Sequence, residues 1–239
     1  MTEKEFIELQ GKKVEFRTQW RQEVIYSKKL YLRVGSALAK QLLKTGISAN
    51  QVTFVRLIIG LVSMLFFLNI GYPYLVAGMV IFQVSMIFDC ADGTIARTKG
   101  SAGNYGKFIE LNIDRFVESL LFIVITYVVY VQTGNPLVWI IGMFSIGLES
   151  LIVTHKFGLR FLYSMPSGEL RETIKKRNFL LGIFTYTSFN RHFLLIFFVI
   201  FNQLFWYMVI VAFYYLVFYM AMLAFSHKKL RLPSVKKVN

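Results

Sequence analysis

Within the 26 residues from 89 to 114 the chain carries four carboxylates at helical spacing, in the pattern Asp89-x-x-Asp92-Gly93-x-x-Ala96-Arg97, eight residues, Gly106-x-x-x-Glu110-x-x-x-Asp114. On a helix Asp89 and Asp92 are i and i+3, and Glu110 and Asp114 are i and i+4, so each pair lies along one face. The stretch between them, Thr98 to Tyr105, contains Gly100, Gly103 and Asn104 and suits a turn. Two adjacent antiparallel helices would then pool four oxygen-donor groups. Such groups suit hard cations such as Mg²⁺ or Mn²⁺, and two ions roughly 3.5 to 4 Å apart can clamp the oxygens of a phosphoryl displacement. Gly93 and Ala96 share the face of Asp89 and Asp92 and leave room for a ligand, and Arg97 offers a planar donor to phosphate oxygens. Together these residues outline a pyrophosphate site. Acid pairs can also mark a solvated helix end or line a cation path, but two pairs in tandem with Gly, Ala and Arg at matching positions weigh against both.

These acids sit in a greasy chain. The apolar fraction is 56%, the aromatic fraction 17% and the charged fraction 17%, below the roughly 25% charged residues of soluble domains. Apolar runs of about 17 to 25 residues, enough to cross a bilayer, can be drawn near Val52–Ile70, Tyr74–Phe88, Ile109–Val131, Pro136–Thr154, Phe179–Phe201 and Leu204–Phe225. The second is short in its apolar part, and the fifth contains Asn190, Arg191 and His192. The expected fold is all-α, a polytopic membrane bundle of about six transmembrane helices preceded by an amphipathic interfacial helix. The expected organisation is a cytoplasmic arm and interfacial helix over 1–47, a transmembrane catalytic domain over 48–226 and a basic cytoplasmic tail over 227–239.

Lys and Arg gather in the N-terminal arm, around the connections after spans two and four, and in the tail. The other connections, Asn69–Tyr74, Gln132–Pro136 and Asn202–Gln203, contain none. Basic residues mark the cytoplasmic side, so an even number of spans with both ends inside is expected, with the acidic cluster facing the cytoplasm. The net charge of +14 flanks spans and does not form an aromatic-studded soluble surface, which points to an anionic lipid bilayer and away from nucleic acid. Cys90 is the sole cysteine and reads as a small packing residue. No cleavable signal is expected, because the first 50 residues carry mixed charge without an apolar run.

From Trp20 to Lys44, Val24, Ile25, Leu30, Val34, Leu38 and Leu42 recur at roughly helical spacing with basic residues between them, which predicts a helix lying on the membrane surface. A helix packed against the bundle or a partner is the alternative. Gly46 ends it, and Ser48 or Asn50 can cap the first span, where Asn50 and Thr53 share a face that could meet a polar ligand. A plain N-cap, with Thr53 bonded to its own helix, fits the same residues.

The acidic string resembles the signature of the CDP-alcohol phosphotransferases (CDP-alcohol phosphatidyltransferases), Asp-x2-Asp-Gly-x2-Ala-Arg-x8-Gly-x3-Asp-x3-Asp. It departs at one fixed position, Glu110, where the family has Asp. Ser48-Ala49-Asn50-Gln51-Val52-Thr53 is similar, more weakly, to the family's Pro-Asn-x-x-Thr, with Ala49 replacing Pro. The resemblance implies that Asp89, Asp92 and Glu110 hold two ions, and that Asp114 ligates one of them and serves as general base. It further implies that Gly93, Ala96, Arg97 and Gly106 border the CDP moiety, with Asn50 and Thr53 toward its nucleotide end. The acceptor oxygen would attack phosphorus and CMP would leave. The extra methylene of Glu110 is expected to retune the metal site without abolishing it.

In family members that use phosphorylated acceptors, basic side chains hold the acceptor phosphate, and Arg115, Lys156, Arg160, Arg171 and Arg191 are the candidates here. Arg191 stands out because a charge within an apolar span needs a partner or a cavity. The expected donor is CDP-diacylglycerol and the expected acceptor alcohol a phosphorylated polyol such as an inositol or glycerol phosphate; a soluble CDP-alcohol donor is the alternative. A membrane prenyltransferase would need a second aspartate-rich motif, whereas after Glu118 the acids are Glu149, Glu169 and Glu172. A transporter or scaffold would scatter polar residues over several spans, which are mostly missing apart from Glu149 and the 190–192 group. Trp206, Tyr207, Tyr214, Tyr215 and Tyr219 are expected to give the last span an aromatic outer surface, suited to lipid or to a second protomer in a homodimer.

Overall fold

The computed structural model describes residues 26–101, 103–163 and 188–230. Trp20 to Ile25, the basic stretch with Arg171 and Lys175 to Arg177, and the tail beyond Leu230 lie outside the described residues. The described residues form α-helices without strands: α1 Tyr26–Leu43, α2 Ala49–Leu68, α3 Tyr72–Thr98, α4 Asn104–Thr133, α5 Leu137–Tyr163, α6 Ser188–Ile200 and α7 Leu204–Leu230. Among them α2, α3, α4, α5 and α7 are long and apolar enough to cross a bilayer, and α6 adds a shorter apolar helix within the fifth run. The chain is an all-helical, multi-pass integral membrane protein, and about six spans fit it.

The second span runs further than its apolar content predicts. Pro73 sits in its first turn, and the helix continues through Asp89 and Asp92 to Thr98, so the acids stand on the last turns of a continuous helix. Gly78 lets α2 and α3 come close, because a methyl there would fall 3.0 Å from the Ser63 carbonyl oxygen and 3.1 Å from the Phe67 ring.

Tyr31, Gly35 and Ala39, at intervals of four, form the buried stripe of α1 and face α3. A Cβ at Gly35 would meet the Ile87 carbonyl oxygen at 2.9 Å and press on Cys90, which is buried as a small packing residue. The Tyr31 hydroxyl bonds Gln83 of α3, whose amide in turn donates to the His192 carbonyl oxygen of α6 at 3.3 Å. Leu30 and Val34 remain exposed on the opposite side. The helix thus combines the two arrangements open to it, packed on the bundle by its small residues and apolar on its outer edge.

The elbow after α1 is held from two directions. Gly46 adopts φ +78°, a left-handed value that suits glycine, and the Lys99 ammonium donates to the carbonyl oxygens of Gly46 and Ile47, both at 2.8 Å. Ser48 then caps α2 through a reciprocal box with Gln51. The end of α3 and the start of α2 are thereby locked together where the acids lie.

In the core, Tyr207 and Tyr215 of α7 are fully buried, with ring centroids 6.2 and 6.0 Å from Phe122 of α4. This corrects the expectation of an outward aromatic surface on α7: two of its tyrosines belong to the interior, while Trp206 is exposed. The cause is helical phase, since 207 and 215 lie eight residues apart on the face that meets α4.

Candidate active site

The acidic residues come together, but not through a direct face between their two helices. Helix α2 packs extensively against both α3 and α4, which scarcely meet each other. The expected pair of adjacent helices is therefore corrected to a three-helix arrangement, with α2 supplying the wedge. The gap it leaves has acids on two walls and a cation on the third.

One carboxylate oxygen from each of Asp89, Asp92 and Glu110 lies within 4.8 Å of the others, the spacing of ligands around one cation. Asp92 is 2% exposed; its Oδ2 accepts from the Thr53 hydroxyl of α2 at 2.7 Å, while its buried Oδ1 has no hydrogen-bond partner. A buried carboxylate oxygen with an open lone pair is costly unless a cation completes it. Glu110 is partly exposed at the margin, so its longer side chain can reach inward from the start of α4. These oxygen donors fit a hard divalent cation in both chemistry and spacing.

Asp114, one turn beyond Glu110, is held by α2 instead. The Arg56 guanidinium is 3% exposed and places Nη1 2.6 Å from Asp89 Oδ1 and 2.5 Å from Asp114 Oδ1. The backbone carbonyl of Arg56 also accepts from the Ser85 hydroxyl of α3 at 3.2 Å, which fixes this turn of α2. Two of the four carboxylates, Asp89 and Asp114, thus share one buried guanidinium.

The other motif residues edge this gap. The Arg97 guanidinium folds back over Gly93, where a Cβ would stand 3.2 Å from Nη1, and Nη2 donates to the Thr94 hydroxyl at 3.2 Å. Gly93 therefore makes room for Arg97 as well as for any ligand. Ala96 is partly buried on the same helix. Gly106 faces Asn50, whose Oδ1 would lie 3.5 Å from a Cβ placed there, so α2 and the first turn of α4 meet at the rim. Thr53 donates to Asp92 at 2.7 Å, the Ala49 carbonyl 3.1 Å away being the alternative acceptor, and so points at an acid of the cluster.

The five basic candidates for an acceptor phosphate separate. Arg115 and Arg191 belong to a second buried cluster, one turn further along α4. Arg191 contacts Glu118 at 2.8 Å and Glu149 at 3.0 Å, and Arg115 contacts the same two acids at 2.7 and 3.0 Å. This cluster ties α4, α5 and α6, and the Arg191 guanidinium also lies over the rings of Phe122 and Tyr215. Arg115, one-third exposed, is the more open of the two. Lys156 lies over the Phe218 ring of α7 at 5.2 Å. Arg171 and the side chain of Arg160 lie outside the described residues.

Sequence reasoning passed over Arg56, Glu118 and Glu149 as parts of either cluster. The signal for Arg56 was present, because a charge inside an apolar run asks for a partner, the same argument that singled out Arg191. Glu118 follows Asp114 by four residues and so extends the acidic face of α4 by one turn.

Comparison with known proteins gives a consistent result. Residues 47–189 match the family model described as CDP-alcohol phosphatidyltransferase. Over 120 residues, half of this chain, the sequence is 28% identical to a bifunctional IPC transferase and DIPP synthase of Thermococcus kodakarensis, covering 26% of that protein. Over 90 residues, 38% of this chain, it is 31% identical to a phosphatidylinositol phosphate synthase of Corynebacterium glutamicum, covering 40% of it. The chain therefore aligns with less than half the length of either relative.

Proposed function

The chain belongs to the CDP-alcohol phosphatidyltransferase family, a family of transferases, and from that premise we propose that it moves a phosphatidyl group from CDP-diacylglycerol to the hydroxyl of a phosphorylated polyol, releasing CMP. The observation that carries this reading is the meeting of Asp89, Asp92 and Glu110 within 4.8 Å, with Asp114 one helical turn away on the same helix as Glu110. A carboxylate group that can take a cation thus lies beside a further carboxylate suited to base chemistry.

Asp89, Asp92 and Glu110 would hold Mg²⁺ or Mn²⁺, with Asp114 a further ligand if two ions bind. Bound there, the ions would supply charge neutralisation to the pyrophosphate. Asp114 accepts the proton of the acceptor hydroxyl. The acceptor oxygen forms a bond to the phosphorus that carries the lipid, the bond from that phosphorus to the CMP oxygen breaks, and CMP leaves with the electron pair. Gly93, Ala96, Arg97 and Gly106 border the CDP moiety, Asn50 lies at its nucleotide end, and Thr53 orients Asp92.

The acceptor class draws support from the relative named as a phosphatidylinositol phosphate synthase and from the basic residues near the cluster. Arg115 is the best placed, one residue from Asp114 and partly open. Arg191 is paired with Glu118 and Glu149 and Lys156 lies over Phe218, while Arg160 and Arg171 are candidates on the sequence alone. The basic connections support a site on the cytoplasmic side of the membrane.

The test is direct. Purified protein is incubated with Mg²⁺ or Mn²⁺, CDP-diacylglycerol and a panel of alcohols and their phosphates, and CMP is measured. Release with inositol phosphate or glycerol phosphate, and not with the free alcohols, is the expected outcome. Release only with a soluble CDP-alcohol would reverse the donor assignment, and no release with any pair would remove the enzymatic reading.

A further inference from the structure

Arg56 lies outside the acidic motif, on a different helix, yet it touches two of the motif's four acids. Its position is over-determined: the side chain is 3% exposed, Nη1 reaches Asp89 of α3 and Asp114 of α4, and its backbone carbonyl is pinned by Ser85. Since α3 and α4 scarcely meet each other, this guanidinium is a bridge between the two walls of the site.

We propose that Arg56 is the positioning residue for Asp114: bridging Asp89 and Asp114, it holds the base at a set place beside the Asp89, Asp92 and Glu110 group while its charge limits how tightly that group grips a cation. The proposal rests on the phosphotransfer reading for the role of Asp114. Its physical content is a pair of opposed effects. The guanidinium repels a divalent ion bound among the neighbouring carboxylates, so removing it should strengthen ion binding. The same removal frees the Asp114 carboxylate to swing, and a base displaced by about 1 Å can cost on the order of 10²-fold in rate. A residue that merely held the fold together would weaken both.

The experiment compares the full-length wild-type protein with R56Q and R56K in nanodiscs. It reads Mn²⁺ binding from the paramagnetic resonance of free Mn²⁺ in the absence of substrate, and kcat and KM from CMP release. For R56Q the expected result is Mn²⁺ binding roughly tenfold tighter, kcat lower by on the order of 10²-fold, and KM for the donor little changed. R56K keeps the charge, but a flexible ammonium on a shorter side chain does not stand where Arg56 Nη1 meets both carboxylates. It should bind Mn²⁺ as wild type does and lose about tenfold in kcat.

Mn²⁺ binding that weakens in R56Q in step with kcat would overturn the proposal, as would wild-type kcat in either variant. If R56Q does not fold, R56K alone decides, because wild-type kcat there removes the bridging role. Failure of the wild-type protein to release CMP from any donor overturns the phosphotransfer reading and the positioning role with it. Release by wild type and R56Q at equal kcat overturns the positioning role alone.

Discussion

Asp114 and Glu118 stand one turn apart on α4, yet they belong to clusters built on opposite charge arithmetic. Around Asp114, four carboxylates gather beside the Arg56 guanidinium, which touches two of them, Asp89 and Asp114, and a buried oxygen of Asp92 lacks a hydrogen-bond partner. Around Glu118, two carboxylates face two guanidiniums at 2.7 to 3.0 Å, and helices α4, α5 and α6 are joined by the result. Both are buried in a membrane bundle, where unpaired charge is expensive. The balanced cluster pairs its charges internally and can serve as architecture. The acidic one gathers an excess of carboxylates, which suits the divalent cation of the proposed function.

The comparison is broken most severely at its two ends. Asp114→Ala should leave the protein folded and inserted while lowering turnover by roughly 10²- to 10⁴-fold, the range a positioned general base supplies. CMP release from protein checked for monodispersity reads this directly, and an active Asp114→Ala protein would remove the mechanism. Glu118→Gln should do the reverse in kind. Leaving Arg191 and Arg115 short of a counter-charge should cost about 3 to 5 kcal/mol of stability, seen as a fall in the thermal unfolding midpoint that added Mg²⁺ does not restore. A stable but inactive Glu118→Gln protein would mean that the second cluster takes part in the reaction.

Stripping divalent ions sharpens the same contrast. A chelator should remove all CMP release and lower stability by no more than the linkage term of a ligand that binds the native state, about 3 kcal/mol at a hundredfold excess over the dissociation constant. Large-scale unfolding on chelation would instead make the acidic cluster a structural centre.

The sequence displayed one cluster far better than the other, for a physical reason. Asp89, Asp92, Glu110 and Asp114 lie on two helices consecutive in the chain, so local spacing alone predicts that they converge. The family resemblance carried by those residues agrees with the family match over residues 47–189. The second cluster joins residues 115, 118, 149 and 191, and nothing local links 118 to 191; only the packing of α4 against α5 and the placement of α6 does. The partners of Arg56 were hidden likewise, because they are 33 and 58 residues away and depend on α2 wedging between α3 and α4. The same limit explains α7: hydropathy showed a span, but which of its tyrosines faced inward depended on its rotation against Phe122. Helix existence and the membrane class were legible from apolar run length, while helix phase was not.

Smaller effects test how finely the acidic cluster is tuned. Thr53→Val keeps shape but removes the hydroxyl that orients Asp92 at 2.7 Å. Losing such an outer partner of a ligand typically weakens metal binding by about 10- to 100-fold, so the Mn²⁺ activation curve should move to higher concentration with maximal turnover nearly retained. An unchanged curve would return Thr53 to the role of a nucleotide contact.

Glu110→Asp should have the mildest effect and is the most specific. Glu110 starts one wall of the gap, and its longer side chain lets the carboxylate join Asp89 and Asp92 from the first turns of α4. Shortening it by one methylene draws that oxygen back from the group. Mg²⁺ requires near-ideal octahedral geometry at roughly 2.0 to 2.1 Å, so it should feel the retreat more than a more adaptable ion does. The expected outcome is a few-fold shift in the ratio of Mg²⁺- to Mn²⁺-supported CMP release, with little change in the better of the two. A uniform loss with both ions would show that glutamate is required here for reach. An unchanged ratio would show that the wall of α4 adjusts to either acid, and the departure at 110 would then carry no metal preference.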